Sequence, residues 1–272
     1  SQRHGFKCTV LFAQDADGTI NPNNSSNVPG MHLLVALPGL RRGRHAATLG
    51  HLGVGTGVLA LALSLGLRWV EAGQGPFLTL YEVVASNLFS VGLVYGFARR
   101  QSPEVRDGAL PVLVVLSVLG VWAVTLPREI VPLPPTFDSP WLWLHVLTGK
   151  LFLGTCLIAA SLGLGEVCGP ADARRRSAMW RFGGLALACD AGMLLAGSLW
   201  ARSAWGRYWH WDPVETWALV TFLALAALMH ARTALRSRPS VAGALMGGIF
   251  VLALLTFLGV PFFSHAPHKG VF

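Results

Sequence analysis

Charged side chains are scarce. Asp, Glu, Lys and Arg make up 12% of the 272 residues, where a soluble globular domain carries about 25%. So little charge excludes a chain that surrounds its own core with a charged surface, and the 53% of hydrophobic residues must face something other than water. Cysteine is sparse and unpatterned. Cys8, Cys156, Cys168 and Cys189 form no Cys-x-x-Cys pair and no Cys-x-x-Cys-His motif, which excludes a c-type cytochrome. Cys156 and Cys189 lie in apolar runs and read as small core residues. No internal repeat is visible, so an inverted-repeat transporter has little support. Ser1 to Gly30 is polar, with Asn23, Asn24, Ser25, Ser26 and Asn27 in a row, and lacks the apolar core and cleavage site of a signal peptide. It is read as poorly ordered, and Met31 would be a natural start for the rest of the chain.

Long apolar runs are what the chain has in quantity. Seven are long enough to cross a bilayer, since about 20 residues span the hydrocarbon. They cover roughly 46–68, 77–98, 109–126, 141–165, 178–200, 214–235 and 240–262, the third being the shortest. The expected fold is an all-α integral membrane protein, a bundle of about seven transmembrane helices (six to eight). Residues 1–45 form a polar N-terminal segment and 46–272 the membrane domain. The net charge of +8 sits in short clusters between spans rather than on one face, so it is no nucleic-acid footprint. Arg41, Arg42 and Arg44, then Arg99, Arg100 and Arg106, then Arg174, Arg175, Arg176 and Arg181, then Arg232, Arg236 and Arg238 fall on one side of the membrane. The other side has Arg68, Arg128, Arg202, Arg207 and Lys269. The positive-inside rule puts the first group in the cytoplasm of a bacterial-type plasma membrane. The bundle then starts inside and the chain ends outside. Residues 127–140, with Pro127, Pro132, Pro134, Pro135 and Pro140, form an extended outer loop.

A second outer loop, with the helix start after it, covers about 201–217. It reads Trp205-Gly206-Arg207-Tyr208-Trp209-His210-Trp211-Asp212-Pro213-Val214-Glu215-Thr216-Trp217. Part of this is helix punctuation. Asp212 is an N-cap, Pro213 suits the first helical position, and Glu215 completes a capping box. The tryptophans read either as an interfacial belt or as a flat platform for a flat apolar ligand with a polar edge. Belts scatter over many helix ends, whereas these rings crowd one loop in which Gly206 permits close backbone approach. The stretch is similar to the tryptophan-rich WWD signature of haem-handling proteins of cytochrome c maturation, and resembles most the CcsA (ResC) family of the system II pathway. Leu67-Arg68-Trp69 with Pro76 and Leu80-Tyr81-Glu82 resembles that family's first hairpin, His230-Ala231-Arg232 the ending after the signature, and Phe257-Leu258-Gly259-Val260 the start of its last segment. The resemblance covers about 46–272.

His145 ends the fourth span on the outside, and His265 and His268 come just after the seventh. Two neutral imidazoles can bind haem iron from opposite faces; equally, they could be interfacial histidines bonded to loop backbone. The family has two external histidines that bind haem beneath the WWD loop. His145 matches the first. An ungapped reading puts the second on His268, with His265 as the alternate, because His265-Ala266-Pro267-His268 departs from the family pattern. His51 and His230 lie within spans, about a third of the way in from the cytoplasmic side, where ionisable groups are costly and functional by default. His230 matches the family's transmembrane haem ligand. Its opposing ligand generally comes from a partner of the CcsB (ResB) type, so His51 is the weaker assignment. His4, His32 and His45 read as solvated, and His210 as local polar surface. Asp190 is expected to pair with a neighbouring helix, and Lys150 to meet Glu82 or a haem propionate.

The resemblance implies a haem-presenting component of a cytochrome c synthase. It would work with a CcsB-type partner on haem b and an apocytochrome c carrying Cys-x-x-Cys-His, with iron held only through haem. A cytochrome b-like respiratory subunit with bis-His haems is the alternative, as is a haem-binding assembly or regulatory protein without synthase chemistry. The respiratory subunit would use the same histidines but has no need of the loop at 205–217.

Overall fold

The computed structural model describes residues 44–263. Expectations for Ser1 to Gly30, and for His4, His32, His265, His268 and Lys269, lie outside the described residues, as do the side chains of His45 and His51. The chain is all-helical, with no β-strand among the described residues. In order come α1 (Arg44–Ala72), α2 (Leu80–Gln101), the short α3 (Pro103–Asp107) and α4 (Ala109–Thr125). A 3-10 turn (Pro135–Phe137), α5 (Pro140–Cys168), α6 (Ala173–Trp205), α7 (Pro213–His230) and α8 (Pro239–Leu254) come next. The last span continues through a π turn (Leu255–Gly259) into α9 (Val260–Phe263). Six of these helices are long and apolar enough to cross a membrane, and α4 is a shorter apolar helix of 17 residues. At 1.5 Å per residue α4 is about 26 Å long, a little less than the roughly 30 Å hydrocarbon core. The molecule is a multi-pass membrane bundle.

Punctuation sets most helix ends. Thr79 and Glu82 form a reciprocal capping box at the start of α2. Asp172 caps α6, and Gly206 ends it in the left-handed conformation at φ 80°. Two ends differ from expectation. The span expected over 214–235 is helical only to His230, and 231–237 are turns, because Arg232 and Arg236 leave the apolar layer there. The last span, expected as unbroken helix, contains the π turn. The Thr256 hydroxyl within it contacts Thr221 Oγ1 at 3.0 Å and donates to Leu252 O at 2.9 Å, and threonine back-bonding of this kind to the i−4 carbonyl bends helices.

α5 is the axis of the bundle. Its most apolar stretch is 72% buried, against 6% for α1. It packs along α6 and α8 and also touches α2 and α4. The α5–α8 crossing is made backbone to backbone. A Cβ on Gly163 would lie 2.8 Å from the carbonyl oxygen of Gly243, and a Cβ on Gly243 would strike the backbone of Gly163. Close approach of small residues substitutes for a hydrophobic drive between helices in lipid. Gly163→Leu should therefore force α5 and α8 apart and cost about 1–3 kcal/mol. The check is the denaturation midpoint in detergent, with Gly120→Leu in α4, where a Cβ would meet nothing within 4 Å, as the control expected to stay near wild type.

Candidate functional site

The 205–217 segment lies where α6 ends and α7 begins. Asp212 accepts a hydrogen bond from Glu215 N at 2.8 Å, and Pro213 opens α7, as expected. The capping box is not reciprocal, however. Glu215 sends its own carboxylate past the cap to accept from His210 N at 2.7 Å. Trp211 explains this. It lies at φ 59°, the one non-glycine residue at positive φ among those described, and turns the chain so that His210 N faces the helix start. A left-handed conformation costs about 1–2 kcal/mol for a residue with a Cβ, and such strain persists where its surroundings over-determine it. Here the buried Glu215 clamp supplies that constraint. His210 is accordingly a built-in part of the loop rather than local polar surface. Its ring is edge-on to Trp205 at 5.9 Å, with Nδ1 3.9 Å from Glu215 Oε1. Gly206 is explained by its positive φ. A Cβ there would meet only Arg202 Nη1, at 3.9 Å, so the glycine serves to end the helix rather than to admit another group.

The rings do not make one flat platform. Trp209 and Trp211 are at 80° to each other, and Trp200 and Trp205 at 58°. Tyr208 and Trp211 are exposed, at 56% and 70%. Trp217 turns its ring outward, and its carbonyl accepts from Thr221. Behind the loop the aromatics form a chain. His145 lies 6.0 Å from Trp200, and Trp200 lies 4.9 Å from Trp205. Trp200 is buried and donates Nε1 to Thr136 O at 2.8 Å, which ties α6 to the proline-rich loop. Sequence reasoning assigned Trp200 no role. Its only sign is that it ends the apolar run five residues before Trp205.

His145 is the centre of the arrangement. Its Nδ1 is 2.9 Å from the carbonyl oxygen of Met193 on α6. The ring reaches this carbonyl across Gly197, where a Cβ would stand 2.7 Å from Nδ1. A carbonyl can only accept, so Nδ1 carries the hydrogen and the basic lone pair is on Nε2. A backbone carbonyl on the far nitrogen is what fixes the tautomer and direction of an imidazole that ligates a metal. A cleft of about 60 Å³ lies beside it, lined by His145, Met193 and Leu194 below and by Tyr208, Trp209 and Glu215 from the loop side. The Trp209 Nε1 donor is buried and has no hydrogen-bond partner. Sequence reasoning thus placed His145 beside Tyr208, Trp209 and Glu215, and missed Met193 and Gly197, which no motif marks.

Other expected site residues lie elsewhere. His230 is the last residue of α7 and is exposed. It is about 26 Å along the helix from Pro213, at the far end of the span and not a third of the way in, because the helix stops there. Tyr81 and Glu82 belong to a clamp on the proline-rich loop. Glu82 accepts from Arg68 Nε at 2.8 Å and from the N–H groups of Leu78 and Thr79. Arg68 in turn donates to the carbonyls of Arg128 and Glu129, with Tyr81 beneath both guanidinium groups. Glu82 is therefore committed, and Lys150 does not meet it. Lys150 Nζ instead donates to Ser86 Oγ at 2.7 Å and Asn87 Oδ1 at 3.0 Å on α2. The pairing expected between Asp190 and a neighbouring helix is not formed either. Asp190 is wholly buried, and neither carboxylate oxygen has a hydrogen-bond partner. A second aromatic group, unforeseen from sequence, stands on the other side of α5, where Trp69 stacks on Trp143 at 5.2 Å and 18°.

Residues 77–268 match the family described as "Cytochrome C assembly protein". The chain is 27% identical over 284 residues to "Cytochrome c biogenesis protein CcsA" of Gloeothece citriformis, covering 81% of this chain and 87% of that protein. It is 28% identical over 292 residues to the protein of the same name from Guillardia theta, covering 91% and 95%. The one from Synechococcus elongatus is 28% identical over 258 residues, covering 73% and 78%.

The Glu215 clamp makes a prediction about the loop. Glu215→Ala removes both the bond to His210 N and the constraint that holds Trp211 left-handed, with an expected loss of about 1.5–3 kcal/mol, the range for hydrogen bonds to charged groups. Amide exchange at 206–212 should accelerate while that of α5 stays unchanged, and Glu215→Gln should recover part of the protection.

Proposed function

Because the chain belongs to the Cytochrome C assembly protein family, with a role in cytochrome c biogenesis, we propose that it holds haem beneath the 205–217 loop and presents it to apocytochrome c for covalent attachment. The observation that carries this reading is the anchoring of His145 on the Met193 carbonyl, which directs Nε2 as an iron ligand. His268, or its alternate His265, supplies the opposite axial ligand. Haem is the cargo of the site rather than a resident group. The surroundings suit it, with apolar Met193, Leu194 and Ala218 against the macrocycle and the buried Trp209 Nε1 donor for a carboxylate edge.

The cleft of about 60 Å³ is far below the roughly 300–1,000 Å³ of a pocket that encloses a small molecule. Haem is therefore admitted by lifting the loop, which is joined to α6 through left-handed Gly206 and to α7 through strained Trp211. Attachment adds each cysteine S–H across a haem vinyl C=C bond, so no leaving group or oxidant is needed. The protein's contribution is to hold the vinyl edge within reach of the thiols. The histidine of the substrate's Cys-x-x-Cys-His motif displaces one axial ligand, which releases the product.

The positive-inside asymmetry supports a loop outside a bacterial plasma membrane and an arginine-rich end in the cytoplasm. The cargo is haem b, the form that retains both vinyl groups. His230, exposed at the cytoplasmic end of α7, suits a haem shared with a CcsB-type partner. Together the two positions describe a route from one side of the membrane to the other.

The test is co-expression of this chain with a CcsB-type partner and an apocytochrome c in cells without a maturation pathway. Native protein should yield covalent haem. His145→Ala should reduce it at least tenfold, and Gly197→Val should reproduce that loss by evicting the ring from Met193. Haem co-purifying with the chain, read from its Soret band, should fall in both variants. Undiminished covalent haem in His145→Ala would overturn the assignment.

A further inference from the structure

At the end of the bundle opposite the aromatic loop, α2 and α3 diverge from α6 around an open cleft of about 320 Å³. We propose that this cleft binds the phosphodiester headgroup of an anionic phospholipid. Its polar lining is Gln101, Ser102, Glu104, Arg174, Ser177 and Arg181. Arg181 donates Nη2 to the buried Ser102 Oγ at 3.1 Å, which holds the guanidinium against the wall.

The ion pairs at this end are unevenly distributed. Arg175 and Arg176 both bind Glu166, at 2.8 and 3.3 Å. Arg174 and Arg181 have no ion-pair partner among the described residues, and they are the two that face the cleft. Two guanidinium groups and two serine hydroxyls there meet a single carboxylate, Glu104. The lining is net positive and rich in donors, which is the chemistry that recognises a phosphate oxygen cluster.

Depth selects a lipid over a soluble ion. Gln101 is the last residue of the α2 span, and Arg174 and Arg181 lie in the first three turns of α6, so the cleft is at the level where the spans leave the hydrocarbon. About one turn deeper, apolar side chains are exposed on both bordering helices, Phe97 (64%) on α2 and Leu185 (49%) on α6. They offer acyl chains a surface continuous with the headgroup site. Basic pockets between transmembrane helices are a known mode of anionic-lipid recognition. The proposal does not depend on the haem reading or on which side of the membrane this end faces.

The experiment uses the full chain in nanodiscs of phosphatidylcholine doped with phosphatidylglycerol, with retained lipid read by native mass spectrometry. Native protein should retain phosphatidylglycerol over phosphatidylcholine by about 30-fold. Arg174→Gln with Arg181→Gln should weaken that retention about 30-fold, the equivalent of about 1 kcal/mol for each arginine. Arg238→Gln, outside the cleft, should leave it unchanged. A second arm adds inorganic phosphate to lipid-depleted native protein in detergent and tracks the melting midpoint. Phosphatidylglycerol should raise the midpoint and inorganic phosphate should not. Equal retention of the two lipids by the native chain would overturn the proposal, as would a preference that survives the double variant. A midpoint raised as much by inorganic phosphate would overturn the lipid assignment in favour of a soluble anion.

Discussion

The antiparallel contact of α5 with α6 underlies the rest of the molecule, and its decisive point is the imidazole of His145 on the carbonyl of Met193. In a helix each carbonyl is already engaged by the N–H four residues on, and the side chain at that position shields it. For Met193 that position is Gly197. With no Cβ there, the ring can lie against the helix and use the second lone pair of the carbonyl. One missing carbon atom thus fixes the imidazole's tautomer, its direction and its distance from the loop above it.

The loop is held by buried polar groups in the same way. Glu215 is a cap partner in sequence terms, but its carboxylate reaches past the cap to His210 N, so one residue gives its N–H to the Asp212 cap that starts α7 and closes the loop over His145 with its side chain. Trp200 adds the third support, donating to Thr136 from beneath the rings. The Arg68–Glu82 pair then binds the proline-rich loop to α2. In a chain with 12% charged residues, the described ion pairs lie at the two ends of the bundle, where they fix loops and helix ends. Lys150 and Asp190, inside the spans, are not paired with each other.

The two ends therefore differ in chemistry. The loop end is aromatic, crowded and nearly closed, with strain stored at Trp211. The opposite end is basic, open and rich in hydroxyls. The proposed haem site and the proposed headgroup cleft draw on these two different surfaces, which the α5 axis holds at opposite ends of the bundle.

The sequence by itself determined the membrane bundle, the number of apolar segments, the clustering of the arginines between spans, the α7 start at Asp212–Pro213 and the family of the 205–217 motif. These are legible because each rests on local composition or on residues within a few turns of one another. Only the tertiary structure decided what His145 is bonded to, that Lys150 turns to Ser86 and Asn87 rather than to Glu82, that His230 ends its helix, and that the tryptophans are angled rather than coplanar. Each of those outcomes depends on which face of one helix meets which face of another, or on where a helix leaves the apolar layer. A glycine at 197 or an asparagine at 87 has no motif to announce it. Each acquires its role only when packing brings in a side chain from far along the chain, across the 48 residues between His145 and Met193 or the 63 between Asn87 and Lys150.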